Sequence, residues 1–375
     1  MLARAATGTS VRSLPSRTVS RLDLNFIGTA ILLAAVGVLA VYSATWFSGF
    51  PYWQRQLVWA LVGIVLMIVF ITIDYHVFLD VSMILFGIGM VLLLYLLIWG
   101  KVTANVRSWV YLAGFQFQPS EFMKIFTALV LAKYFESNES AYLNFRSFAM
   151  IMLIIGAPVA LIIVQPDFGT AASFFPLIAA AMYFGGIRLR YWLVALLIVA
   201  LLAPVAWFFF LEDYQKERVL IFLNPERDPL GSGYQVTQAK IAIGSGGLFG
   251  KGFKQGTQAK LEYLPAKHTD FIFAVIGEEW GFVGVTVVLA LYLFLILQAL
   301  SIAKQARDRS GTFLVIALIS FFIFHIIINV AMQIGLLPTT GIPLPLISYG
   351  GSSTMMFMIA VGLMANVDFR KYVNA

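Results

Sequence analysis

Leu264-Pro265-Ala266-Lys267-His268-Thr269-Asp270-Phe271-Ile272-Phe273 carries the chain out of a polar, turn-rich stretch and into an apolar one that continues past Glu278 and Glu279 to about Ala303. About 20 apolar residues span the hydrocarbon of a bilayer as a helix, so a membrane segment begins here. Asp270 stands at the last polar step before it. A carboxylate costs about 2.5 to 3.5 kcal/mol at the centre of such a helix and less near the interface, so its presence needs a reason. Two remain open: Asp270 caps the following helix, or it does chemistry.

Outward from this stretch, further apolar segments fall near residues 24–45, 57–73, 77–99, 119–136, 148–164, 168–187, 191–211, 312–336 and 346–366, which with 271–303 makes ten. The expected fold is therefore all-α: a polytopic integral membrane protein of about ten transmembrane helices, one domain over residues 23–375 behind a basic tail at 1–22. Across all 375 residues, 61% are hydrophobic and 11% charged, against about 25% charged in soluble domains. The net charge of +7 has to be assigned to sides of the bilayer before it means anything, and it is no argument for nucleic-acid binding. With no cysteine, disulfides, thiolate chemistry and Cys metal sites are excluded, and three histidines leave little scope for a His-rich one. Oxygen-ligated ions are not.

An even helix count puts both termini on one side. If that side is the cytoplasm, the inner segments hold Arg4, Arg12, Arg17, Arg21, Lys133, Arg146, Arg188, Arg190, Lys304, Arg307, Arg309, Arg370 and Lys371, while the short outer loops hold Arg55, Lys101 and Arg107. This is the positive-inside pattern. It sends one large loop, about 212–270, to the extracytoplasmic face. That loop mixes eight Lys or Arg with Tyr234, Phe249, Phe253 and Tyr263 and a glycine-rich run from Gly244 to Gly256. Such length and composition indicate an ordered, functional loop.

The remaining unusual charges gather on the same side. Glu121 and Lys124 are three apart in Gln118-Pro119-Ser120-Glu121-Phe122-Met123-Lys124, hence on one helix face, as a packing ion pair or an anion-handling lysine. Asp167, in a short turn before Phe168-Gly169-Thr170, reads foremost as a helix cap. Arg55 follows the first outer loop, and Arg107 with Trp109 lies in the second. His325, Asn329 and Gln333 make one polar stripe on the ninth segment, expected to hydrogen-bond between helices. A proton relay would string ionisable groups through the midplane. Clustering at one interface suits a substrate with an apolar tail in lipid and a phosphorylated head outside, where Arg and Lys neutralise phosphate and a carboxylate serves as base or ion ligand.

His268-Thr269-Asp270-Phe271-Ile272-Phe273 with Glu278-Glu279, Gln118-Pro119-Ser120-Glu121 with Lys124, Gln165-Pro166-Asp167-Phe168-Gly169-Thr170, and the run from Pro338 to Ser353 (PTTGIPLPLISYGGSS) resemble the SEDS proteins of bacterial envelope biogenesis. Asn224 to Asp228, Lys240 to Gly247 and Gly256-Thr257-Gln258 look more like the elongation branch, RodA, than the division branch, FtsW. Two departures stand out. Ser108 precedes Trp109 where the family often has Arg, and Pro265-Ala266-Lys267 precedes His268 where it often has Pro-Glu.

The resemblance implies a peptidoglycan glycosyltransferase that polymerises lipid II in the bacterial inner membrane, working with a class B penicillin-binding protein within the elongation machinery. It implies Asp270 as the catalytic residue and Arg55, Arg107, Trp109, Glu121, Lys124, Asp167, His268 and Thr269 as the substrate-binding set. No cofactor is fixed by it, although Asp270 can hold a divalent cation, Mg or Mn. The rival readings are a lipid II flippase, whose polar residues should continue toward the cytoplasmic half, and a non-enzymatic scaffold that activates the penicillin-binding protein.

Overall fold

The computed structural model describes residues 23–103, 106–112, 115–138, 145–186, 197, 201, 204, 208, 213–224, 228 and 231–371. The basic tail and all but four positions of the segment expected at 191–211 lie outside these residues, as does the centre of the Asn224 to Asp228 motif.

The elements run α1 (Leu24–Thr45), α2 (Tyr52–Thr72), α3 (Tyr75–Asp80), α4 (Ser82–Trp99), β1 (Lys101–Thr103), β2 (Val106–Leu112), β3 (Phe115–Phe117), α5 (Pro119–Ser137), α6 (Phe145–Val164), α7 (Phe168–Ala172), α8 (Phe175–Phe184), α9 (Asp213–Leu223), α10 (Ser232–Ser245), α11 (Thr257–Lys260), α12 (Ile272–Gln305), α13 (Arg309–Gln333) and α14 (Gly351–Arg370). Among the described residues, seven helices are long and apolar enough to cross a membrane: α1, α2, α4, α6, α12, α13 and α14. The fourth expected segment is α5. It is helical for 19 residues, but its charges keep it out of that set, and it buries Glu121 and Lys124. The sixth expected segment breaks into α7 and α8 at Ser173 and Phe174.

Three departures from the sequence expectation shape the functional end. The second outer loop is a small antiparallel sheet in the order β1-β2-β3, with Lys101 opposite Trp109 and Val110 opposite Phe117. Strand alternation puts Arg107 and Trp109 on one face of β2 and Ser108 on the other.

The stretch expected to open the last helix at 346 is instead non-helical as far as Gly350. Residues 336–350 form a loop that turns back into the bundle, burying Ile342, Leu344, Leu346 and Ile347. Backbone of this kind is tolerated at membrane depth only where protein satisfies its polar groups. Side chains supply them here. Tyr292 of α12 donates to the Pro345 carbonyl at 2.5 Å, Asn329 Nδ2 to that of Ile342 at 2.8 Å and Gln56 Nε2 to that of Ser348 at 3.2 Å.

Lastly, α12 is broken at Gly281, whose φ of 67° is left-handed. The break opens the helical ladder, and the glycine-rich loop fills it: Lys251 and Gly252 amides donate to the Glu278 and Glu279 carbonyls, while Phe282 and Val283 amides donate to the Gly247 and Leu248 carbonyls. A Cβ at Gly281 would sit 2.3 Å from the Gly250 nitrogen, so only glycine fits. Glu278 and Glu279 lock the same loop. Glu278 Oε1 accepts from Lys251 Nζ at 2.6 Å and the Thr257 amide at 2.8 Å. Glu279 Oε2 accepts from Ser43 Oγ of α1 at 2.5 Å. At the opposite end of the bundle Asn366 ties α14 to the carbonyls that end α2, from Phe70 to Ile73.

Candidate active site

Asp270 lies in the turn before α12, where its amide and that of Phe271 both donate to the Ala266 carbonyl at 3.1 Å. The helix N-cap is Phe271. Asp270 is thus one residue outside the capping position, and the cap reading of this carboxylate is not what the backbone adopts. Its side chain faces the re-entrant loop: a Cβ placed on Gly341 would be 3.9 Å from Asp270 Oδ2.

The polar stripe of α13 holds this arrangement, helix to helix as expected at Lys124 of α5 and Ala274 of α12, and also to the turn and loop carbonyls of Asp270, Ile342 and Pro343. Asn329 Nδ2 donates to the main-chain carbonyl of Asp270 at 3.1 Å as well as to Ile342. Gln333 Nε2 donates to Asn329 Oδ1 at 2.6 Å, and Gln333 Oε1 accepts from the Ala274 amide at 2.7 Å. His325 Nδ1 meets the Pro343 carbonyl at 3.1 Å, which requires a proton on that nitrogen. Nε2 is then the acceptor for Lys124 Nζ at 3.2 Å. The stripe holds loops to the bundle.

Above Asp270 the two loops are stitched together. Ser348 Oγ donates to the Thr269 carbonyl at 2.6 Å and the Tyr349 amide to the His268 carbonyl at 2.8 Å. The His268 ring lies 4.4 Å from that of Tyr52 and 5.4 Å from that of Tyr349. Arg55, exposed at the start of α2, has its guanidinium close enough to the Tyr349 hydroxyl to favour the ionised form, and so joins this group. Burial pushes the Tyr349 hydroxyl up despite that guanidinium. Burial, helped by the neighbouring Lys267, holds His268 down to about 4, so it is neutral at pH 7. Burial also lowers Lys267, against the attraction of Glu262, and its ammonium sits 4.4 Å above the Phe47 ring. Tyr52, His268 and Tyr349 therefore form a neutral aromatic cluster, with Arg55 at its rim, on the turn that leads into Asp270.

The other expected residues are placed less directly. Glu121 and Lys124 pair at 3.0 Å with Lys124 at 0% exposure, so direct contact of Lys124 with an outer phosphate is not available in this packing. The pair supports the re-entrant loop through His325. Asp167 caps α7 by accepting from the Thr170 amide at 3.1 Å, and also takes Ser108 Oγ at 2.7 Å and Gln118 Nε2 at 3.0 Å. It joins sheet, α5 and α7, and Gly169 brings α7 onto the Thr340 carbonyl next to Gly341. Ser108 is buried, and the exposed Arg107 donates to the Leu97 carbonyl at 3.2 Å. Trp109 is half-buried in β2.

Tyr52, Gln56 and Tyr349 were missed by sequence reasoning. Tyr52 and Tyr349 resemble any interfacial aromatic in sequence. Only Gln56, the last of three polar residues (Gln54, Arg55, Gln56) at the start of an otherwise apolar helix, carried a signal.

Residues 23–372 match the family FTSW_RODA_SPOVE, described as a cell cycle protein. The peptidoglycan glycosyltransferase MrdB of Escherichia coli K12 is 36% identical over 346 residues, covering 92% of this chain and 93% of its own. The peptidoglycan glycosyltransferase RodA of Treponema pallidum is 34% identical, covering 95% and 99%. Among solved structures, a chain of a peptidoglycan synthase complex that coordinates polymerization and crosslinking aligns with a TM-score of 0.82 at 30% identity, over 94% of this chain and 98% of its own. The rod shape determining protein RodA of Thermus thermophilus aligns with a TM-score of 0.70 at 27% identity, with the same coverage.

Proposed function

We propose that this chain, which belongs to the FTSW_RODA_SPOVE family of multi-pass membrane proteins, is a peptidoglycan glycosyltransferase that polymerises lipid II during cell elongation. The observation that carries the mechanism is Asp270: a carboxylate outside its helix cap, main chain clamped by Asn329, facing Gly341 of a loop that re-enters the bundle.

The reaction displaces polyprenyl pyrophosphate from C1 of one sugar by the 4-hydroxyl of another, inverting C1 to a β-linkage. Asp270 takes the hydroxyl proton as general base. Arg55, at the exposed rim, stabilises the departing pyrophosphate. Tyr52, His268 and Tyr349 form an uncharged wall against which a sugar ring can lie. Glu121 and Lys124 act from within the bundle by fixing the loop at Pro343. Among the described residues no three His, Asp or Glu side chains converge to hold a metal; were a divalent cation used, Asp270 would be the residue to hold it, and it would supply neutralisation of leaving-group charge.

The loops of this site, the starts of α2, α5 and α14 and the break in α12 share one end of the bundle; the positive-inside charge pattern supports this end as the extracytoplasmic one, with both termini in the cytoplasm. The similarity to a chain of a peptidoglycan synthase complex supports a class B penicillin-binding protein as partner. The test is conversion of purified lipid II to glycan polymer by the solubilised complex with the transpeptidase blocked. Polymer supports the transferase. Lipid II moved across vesicles without polymer by an intact complex would favour the flippase.

A further inference from the structure

The loop between α1 and α2, residues 46–51, carries three aromatic side chains, Trp46, Phe47 and Phe50. Two of them are covered by the protein's own cations: the Lys254 ammonium lies 5.4 Å from the Trp46 ring and that of Lys267 lies 4.4 Å from the Phe47 ring. Among the described residues no cation is placed over Phe50, which is 67% exposed. Its backbone is nevertheless well fixed. Gly49 before it takes a left-handed φ of 70°, Pro51 after it restricts it further, and its carbonyl accepts from the Tyr52 amide at 2.9 Å. Single exposed apolar residues are ordinary, but this one is joined to others. Its ring lies 5.8 Å from that of Tyr52, which in turn lies 4.4 Å from His268 and 5.4 Å from Tyr349. Phe50 therefore continues the aromatic cluster of the site to the protein surface.

We propose that Phe50 is a platform for a second sugar of the glycan strand, next to the one that lies against Tyr52 and His268. This rests on the polymerising activity proposed above. One face of a pyranose ring is lined by C–H bonds whose hydrogens carry slight positive charge, and the face of an aromatic ring is negative, so the two stack while the sugar hydroxyls stay in water. A strand presents such faces unit after unit. Two aromatic platforms 5.8 Å apart are separated by about the length of one unit, which suits neighbouring sugars rather than a single one. Exposed aromatics also collect where a protein meets lipid headgroups. The surroundings of Phe50 favour the strand: Ser48, Gly49, Gln54 and Arg55 flank it in sequence, Arg55 is exposed, and its ring partner belongs to the site.

The experiment converts purified lipid II to polymer with the intact complex, transpeptidase blocked, and reads strand length on a gel for wild type, Phe50→Leu and Phe50→Trp, with thermal unfolding of each. Phe50→Leu keeps an apolar side chain for a lipid interface and removes the ring; mean strand length is expected to fall by about threefold or more. Phe50→Trp keeps an aromatic face and is expected to restore wild-type length. A folded Phe50→Leu complex that makes wild-type strands overturns the proposal and leaves Phe50 a lipid-facing anchor. Strands shortened equally in both variants overturn it too, because the loss then follows side-chain shape and not the aromatic face. No polymer from an intact wild-type complex overturns the polymerase reading itself, and the second sugar site with it.

Discussion

Lys124 and Glu121 meet at 3.0 Å inside the bundle, one helical turn apart on α5, with the lysine entirely out of solvent. Breaking a buried pair by removing one member is far costlier than removing both, since the survivor is left charged without compensation. Lys124→Met is therefore expected to destabilise the protein by about 3 to 5 kcal/mol, and the double variant Lys124→Met, Glu121→Gln to recover most of that. Thermal unfolding in detergent checks it. A double variant no more stable than the single one would return Lys124 to the list of groups that matter for charge at the substrate.

At Gly281, substitution has no room. Gly281→Ala drives a Cβ into the Gly250 backbone at a positive φ, and a cost of about 1 to 3 kcal/mol is expected, together with faster proteolysis of the 246–258 loop, which loses its main-chain pairing to the break in α12. Unfolding temperature and cleavage rate at that loop are the readouts; wild-type values for both would mean the break is not what fixes the loop.

His268 gives the outer face a pH dependence of defined sign. Folding lowers it from its ordinary value to about 4, against about 6.5 in an unfolded chain. Between these values the unfolded state binds the proton and the folded state does not, so stability is complete above about pH 6.5 and falls as pH drops toward 4. His268→Phe should flatten the unfolding temperature across that window. A parallel slope in variant and wild type would assign the dependence to other groups.

How far the sequence could be read depends on which interaction decided each part. The membrane spans follow from local composition, so α1, α2, α4, α6, α12 and α13 stand close to where the apolar runs put them. The re-entrant loop does not, because Ile342, Leu344 and Ile347 are as apolar as any helix. Pro343 and Pro345 break the helix locally, and what holds the rest non-helical is distant: Tyr292, His325, Asn329 and Gln56, bonded to the carbonyls of Pro345, Pro343, Ile342 and Ser348. The break at Gly281 was hidden for the same reason, since a glycine in a membrane helix is ordinary until Gly247 to Gly252 are seen filling the gap. The polar stripe of α13 was visible and meets helices α5 and α12 as expected, but its further bonds to the carbonyls of Asp270, Ile342 and Pro343 are ones that no periodicity reveals. Asp167 fell to the cap reading by local chemistry, whereas Asp270 stands one residue before Phe271, the N-cap, because the turn closed by the Asp270 and Phe271 amides on the Ala266 carbonyl delays the start of α12.

The most direct test of the central claim is the rate of glycan polymerisation from lipid II by the intact complex carrying Asp270→Asn, with the transpeptidase blocked and folding verified. General-base catalysis contributes about 10² to 10⁴ in rate, so a loss of at least about 10²-fold is predicted. Polymerisation at the wild-type rate would contradict the account and leave Asp270 a structural residue.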